Sequence, residues 1–210
     1  MTQDHGPVRW WSIAIFVLVL FTLYYGAIYL VPPATPLIAA AEYIGAALVS
    51  VVLVMAPYGW AALQVLGFRP VGRRFVLGGI VGTFALSYIV TLLGLQSDWV
   101  QEVVEIVQEP GQLPVSLLLI AGLGPLAEEL VFRGLFYAWL EGRWRARVAF
   151  LASSLAFAAA HWEPASIALS LLPGLFFGGL RWRSNSLVPS LVAHVINNAA
   201  FVLAAKYLDI

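Results

Sequence analysis

Cysteine is absent from all 210 residues, and charge is scarce: only 10% of residues are Asp, Glu, Lys or Arg. The first absence excludes disulfides, thiolate catalysis and cysteine-ligated metal. The second excludes an ordinary soluble domain, in which about a quarter of residues are charged. Eleven cations balance eleven acids, so no basic surface points to nucleic acid. Hydrolase signatures are missing too. No G-x-S-x-G occurs, so Ser153 and Ser154 lack the setting of a nucleophile elbow. No H-E-x-x-H occurs, and "HWEP" at 161–164 keeps only its first residue. No aspartate falls inside an apolar run, which leaves an aspartyl dyad no place.

Hydrophobic residues make up 61% of the chain. Apolar runs of about 18 residues or more recur along it, the length a helix needs to cross a bilayer. The expected fold is all-α: a polytopic transmembrane bundle forming one integral membrane domain over 1–210. Seven spans are expected, at about 10–31, 37–58, 74–95, 113–141, 147–162, 165–181 and 187–206. "VPPATP" (31–36) reads as a tight uncharged turn. Residues 97–112, "SDWVQEVVEIVQEPGQ", read as a short acidic amphipathic helix at the surface. The first run is too long for a cleaved signal and reads as an anchor.

Arginines set the orientation. Arg69, Arg73 and Arg74, then Arg143, Arg145 and Arg147, then Arg181 and Arg183 fall in three loops on one side, which Arg9 joins. That side is assigned to the cytoplasm, with the N-terminus. Asp98, Glu102, Glu105, Glu109, Glu163 and Asp209 fall opposite, with Lys206. A chain of this size without a targeting extension suggests a prokaryotic plasma membrane.

Few polar groups remain inside: Glu42, Glu128, Glu129, Arg133, His161, His194, Asn197 and Asn198. A charge at a helix centre costs about 2.5–3.5 kcal/mol on insertion scales, so each needs a partner, a wet cavity or a function. "GPLAEELVFRG" (124–134) holds three of them. Glu129 and Arg133 are four apart with the acid first, the favourable order for a helical pair. Glu128 is rotated about 100° away and projects elsewhere. Pro125 removes a backbone donor just before the acids, where a kink is expected. "FAAAH" places Phe157 and His161 four apart, and "HVINN" does the same for His194 and Asn198.

Depth links the three segments. At about 1.5 Å per residue, Glu128 lies roughly 22 Å from Arg143, and His161 roughly 21 Å from Arg147. His194 lies at most about 17 Å from Arg183 by the same rise. A buried site reached by water could assemble there. Burial would suit Glu128 to general-base work, a histidine to holding the water, and His194 with Asn198 to oxyanion donation. That set matches addition of water to an amide carbonyl.

"EELVFR" (128–133), "FAAAH" (157–161) and "HVINN" (194–198), in that order, fit E-E-x-x-x-R, F-x-x-x-H and H-x-x-x-N. The chain thereby resembles the CPBP family of intramembrane proteases: type II CAAX prenyl endopeptidases and bacteriocin-processing relatives, also called Abi. The resemblance covers about 113–205, the catalytic core, while 1–112 supplies generic N-terminal spans. It implies Glu128 as the water-activating base, His161 as its partner, Glu129 with Arg133 in support, and His194 with Asn198 on the oxyanion side. It implies no role for Asn197. The family has been described both as zinc enzymes and as metal-free glutamate proteases. Zinc, if used, would fall to Glu128, His161 and His194. The metal-free form without a cofactor is favoured, since no metal-specific local signature is present.

The expected partner is a membrane-associated peptide or protein within the bilayer. A prenylated C-terminal motif, a bacteriocin leader and a C-terminal sorting tail all suit it. Two alternatives stand beside the protease. One is a nonproteolytic scaffold or immunity protein of the same family. The other is a proton-coupled transporter relaying through Glu42, Glu128 and His161.

Overall fold

The computed structural model describes residues 8–94 and 97–208. Every regular element among them is helical. We number the main helices α1 Trp10–Leu30, α2 Pro36–Tyr58, α3 Arg73–Leu92, α4 Asp98–Gln108, α5 Leu113–Glu141, α6 Ala146–Ala159, α7 Pro164–Ser184 and α8 Val188–Tyr207. Six of them, all but α4 and α6, are long and apolar enough to cross a membrane.

The expected span at 147–162 is the shorter α6. Its 14 residues rise about 21 Å, less than the roughly 30 Å of a hydrocarbon core. The chain leaves the helix at Ala160 and turns through His161 and Trp162, then restarts on Pro164 at the first position of α7, where a missing N–H is harmless. α6 and α7 therefore form a hairpin whose turn carries His161. Its helices approach closely: a Cβ on Gly174 would sit 3.0 Å from the Ser154 carbonyl oxygen. Gly82 likewise faces Phe176, but Gly78 faces open space. The small residue packing α3 against α7 and α8 is Gly79, near Leu180 and Ala193.

α5 is the central element and is not uniformly α-helical. Leu117–Leu123 and Leu130–Phe136 are π-helical, flanking an α-helical turn over Gly124–Glu129. The expected disturbance at Pro125 takes this form, a widened turn upstream of the residue that cannot donate. Widened turns also re-aim side chains, and α5 carries both acids.

α4 is amphipathic as expected. Ser97 caps its N-terminus by accepting from the Val100 N–H at 3.3 Å. Val103 and Val107 pack against Val202 and Ala205 of α8. Lys206 donates to the Val107 and Gln108 carbonyls at 2.9 and 3.1 Å, closing the C-terminus with a cation.

One expectation about charge changes. Arg181 is not a loop residue: it is 1% exposed, inside the last turn of α7. Asp209 and Leu95, at the ends of expected segments, lie outside the described residues.

Candidate active site

The two adjacent glutamates have different surroundings, as the helical rotation between them requires. Glu129 and Arg133 are both fully buried. Arg133 NH1 lies 3.3 Å from Glu129 Oε1, and NH2 donates to the Gly174 carbonyl at 3.0 Å. Phe157 lies beneath the guanidinium, its ring centroid 4.1 Å from the central carbon, a cation–π contact in a dry setting. Glu128 instead keeps 30% of its side chain exposed. It lines a cavity of about 250 Å³ with Tyr24, Tyr43, Phe132, Ala160, His161 and Trp162. That volume holds several waters or part of a peptide.

His161 reaches this cavity from the α6–α7 turn. Its Nδ1 lies 3.0 Å from the Phe157 carbonyl oxygen. A carbonyl only accepts, so Nδ1 carries the proton and Nε2 keeps a lone pair. Glu128 and His161, from α5 and the hairpin, thus share one wall of one cavity.

His194 approaches from behind. Its Nδ1 is 3.1 Å from Glu129 Oε1, and its Nε2 is 3.5 Å from Glu128 Oε2. Glu129, already paired with Arg133, acts as an ionised acceptor, so His194 Nδ1 donates. The ring is stacked on Phe177, centroids 4.5 Å apart, and touches Phe157 edge-on at 5.8 Å. His194 therefore joins both acids but is not on the cavity wall.

Asn198 is also off the wall. Its amide donates to the Ile120 carbonyl at 3.0 Å, inside the first π segment, and its Oδ1 accepts from Asn197 at 3.3 Å. Asn197, expected to be without a role, accepts from Thr83 and Ser87 at 3.2 and 3.0 Å. The two asparagines thus tie α3 to α5 through α8. Glu42, the third acid of the transporter alternative, is absent from the cavity wall.

Sequence reasoning missed the aromatic frame. Phe157 touches Arg133, His161 and His194 together, a junction its place in F-x-x-x-H could have flagged. Phe177, Tyr24 and Tyr43 come from spans with no motif.

Zinc ligation can be tested against this donor set. His161 leaves Nε2 free with Nδ1–H anchored as a ligand's would be, whereas His194 Nε2 faces Glu128 at 3.5 Å. The spacing does not fit: among the described residues no three His, Cys, Asp or Glu side chains come together closely enough to hold an ion.

Fold and site together define a polytopic helical membrane protein with a carboxylate–histidine centre at a cavity within its helices. Residues 110–200, which contain all three motifs, match the family described as "Type II CAAX prenyl endopeptidase Rce1-like". That match covers less than half of the chain and supports its similarity to membrane proteases of the CPBP family. A curated relative, "Putative membrane peptidase YdiL" of Bacillus subtilis (strain 168), is 26% identical over 125 residues. That match covers 60% of this chain and 49% of the relative, so it spans about half of the relative's length. No solved structure matches this chain.

Proposed function

We propose that this protein is an intramembrane endopeptidase that cleaves a peptide bond near the membrane-associated end of its substrate. The observation that carries this reading is the shared wall: Glu128 and His161 line one cavity, while Glu129 is sealed away with Arg133. In the proposed reaction, a water held between Glu128 and His161 Nε2 attacks the scissile carbonyl. Glu128 takes the water proton as the new C–O bond forms. The tetrahedral oxyanion is met by His194, which as an imidazolium donates from Nε2, and by the remaining amide N–H of Asn198. The C–N bond then breaks, and the proton on Glu128 passes to the leaving amine. No metal takes part in this scheme.

The substrate classes remain those the site chemistry suits. The family description favours a prenylated C-terminal motif, and the apolar, aromatic rim of Tyr24, Tyr43 and Trp162 suits a lipid-borne chain. The test uses purified protein in liposomes with three peptides: a prenylated CAAX peptide, a bacteriocin leader and a C-terminal sorting tail. Run in oxygen-18 water, cleavage should place the label in the new carboxylate of at least one product and continue after chelation. Loss of activity on chelation, restored by zinc, would overturn the metal-free scheme. No cleavage of any peptide would favour the scaffold reading.

A further inference from the structure

The molecule buries a second guanidinium that this chemistry does not use. Arg181 is 1% exposed, and among the described residues no carboxylate lies within ion-pair distance of it. Neutral groups hold it instead. Its Nε donates to the backbone carbonyl of Arg133 at 3.1 Å, and NH1 donates to Asn185 Oδ1 at 3.3 Å. Its central carbon stands 4.5 Å from the Tyr137 ring centroid. Gly67 closes the other side. Its φ is +96°, and a Cβ there would come within 2.9 Å of the guanidinium, so neither the space nor the backbone admits a side chain.

Burying a charge without a counter-charge is costly, and what Arg181 grips suggests why it is kept. α7 holds Arg133 twice. The Arg133 side chain donates out to the Gly174 carbonyl, and the Arg181 side chain donates back to the Arg133 carbonyl. Gly174 and Arg181 are seven residues apart, about two turns of the same helix. Arg133 sits in the π segment Leu130–Phe136, where the α-helical ladder is shifted and does not alone fix the backbone.

We infer that Arg181 is a positioning residue: with Gly174 it forms a reciprocal clasp on Arg133 that sets Glu129, and through Glu129 the orientation of His194 beside Glu128. Each link is a contact: Arg181 to Arg133, Arg133 to Glu129, Glu129 to His194, and His194 to Glu128. The clasp itself is independent of the reaction; only its kinetic consequence rests on the proposed protease function.

The chain has three histidines, His5, His161 and His194, so a nitrogen-15 histidine spectrum in lipid nanodiscs reads the site directly. Arg181→Met should move the His194 resonances and leave those of His161 in place. Arg181→Lys should return them part of the way, since an ammonium restores one donor but not the fork. Asn185→Gly should move them in the same direction by less. Asn185 has φ 51°, so glycine keeps the backbone, and this variant carries the test should Arg181→Met fail to fold. Unmoved His194 resonances in these variants would overturn the clasp. So would equal movement of His161 and His194, which would mark general loosening. Where wild type cleaves a peptide from the panel above, Arg181→Met should lower kcat about tenfold with KM nearly unchanged. A raised KM at constant kcat would overturn the positioning role. A wild type that cleaves nothing would count against the protease reading alone and leave the clasp to the spectrum.

Discussion

At the scale of residues, the division between Glu128 and Glu129 was legible before any coordinates, because 3.6 residues per turn cannot point neighbours the same way. So was the Glu129–Arg133 pair, observed at 3.3 Å. The position of His194 was not. Its contact with Glu129 spans 65 residues of chain, and no local spacing encodes a distance between α5 and α8. Phe157 was visible only as a motif letter, yet it is 2% exposed and underlies Arg133. Phe157→Leu keeps an apolar volume while removing the cation–π contact, worth about 0.5–2 kcal/mol. We expect lower thermal stability by about that amount and slower cleavage, measured by melting in detergent and by initial rates. Wild-type behaviour in both would show that the ring only fills space.

At the scale of elements, helix types and most boundaries followed from apolar runs punctuated by Pro and by Gly-containing turns. The end of α6 did not, because its turn, Ala160-His161-Trp162, looks as apolar as the helix before it. Pro164 was the better stop signal. The π segments of α5 had no sequence mark apart from Pro125, and Asn198 donating to the Ile120 carbonyl shows that their geometry depends on α8. The hairpin also carries a prediction. A Cβ on Gly178 would collide with Ser154 Oγ and fall 3.2 Å from Phe150. Gly178→Ala should push α6 from α7 and cost about 1–3 kcal/mol by overpacking. Adding Ser154→Ala should recover part of that loss, because the hydroxyl is the closest obstacle. Melting of the single and double variants measures it; an unaffected single variant would contradict the packing.

At the scale of the whole molecule, composition alone gave a helical membrane bundle, and the arginine pattern gave an orientation even with Arg181 withdrawn from its loop. α5, with 29 residues, is long enough to cross the hydrocarbon core and separates the acidic surface of α4 from the arginine-rich loop after Glu141. The natural absence of cysteine makes this testable. Trp144→Cys and Glu105→Cys, both at exposed positions, should react with an impermeant thiol reagent from opposite faces, Trp144→Cys from the cytoplasm. Labelling of both from one face would contradict the topology. The central claim is that adjacent acids have separate tasks, Glu128 in the chemistry and Glu129 in holding the bundle around Arg133. Cleavage and melting of Glu128→Gln and Glu129→Gln, measured side by side, test it most directly. Glu128→Gln should melt like wild type and lose cleavage by at least about 10²-fold. Glu129→Gln should lose about 3–5 kcal/mol of stability, because Arg133 is left buried and unpaired. Cleavage at the wild-type rate by Glu128→Gln, or unchanged melting of Glu129→Gln, would contradict the account.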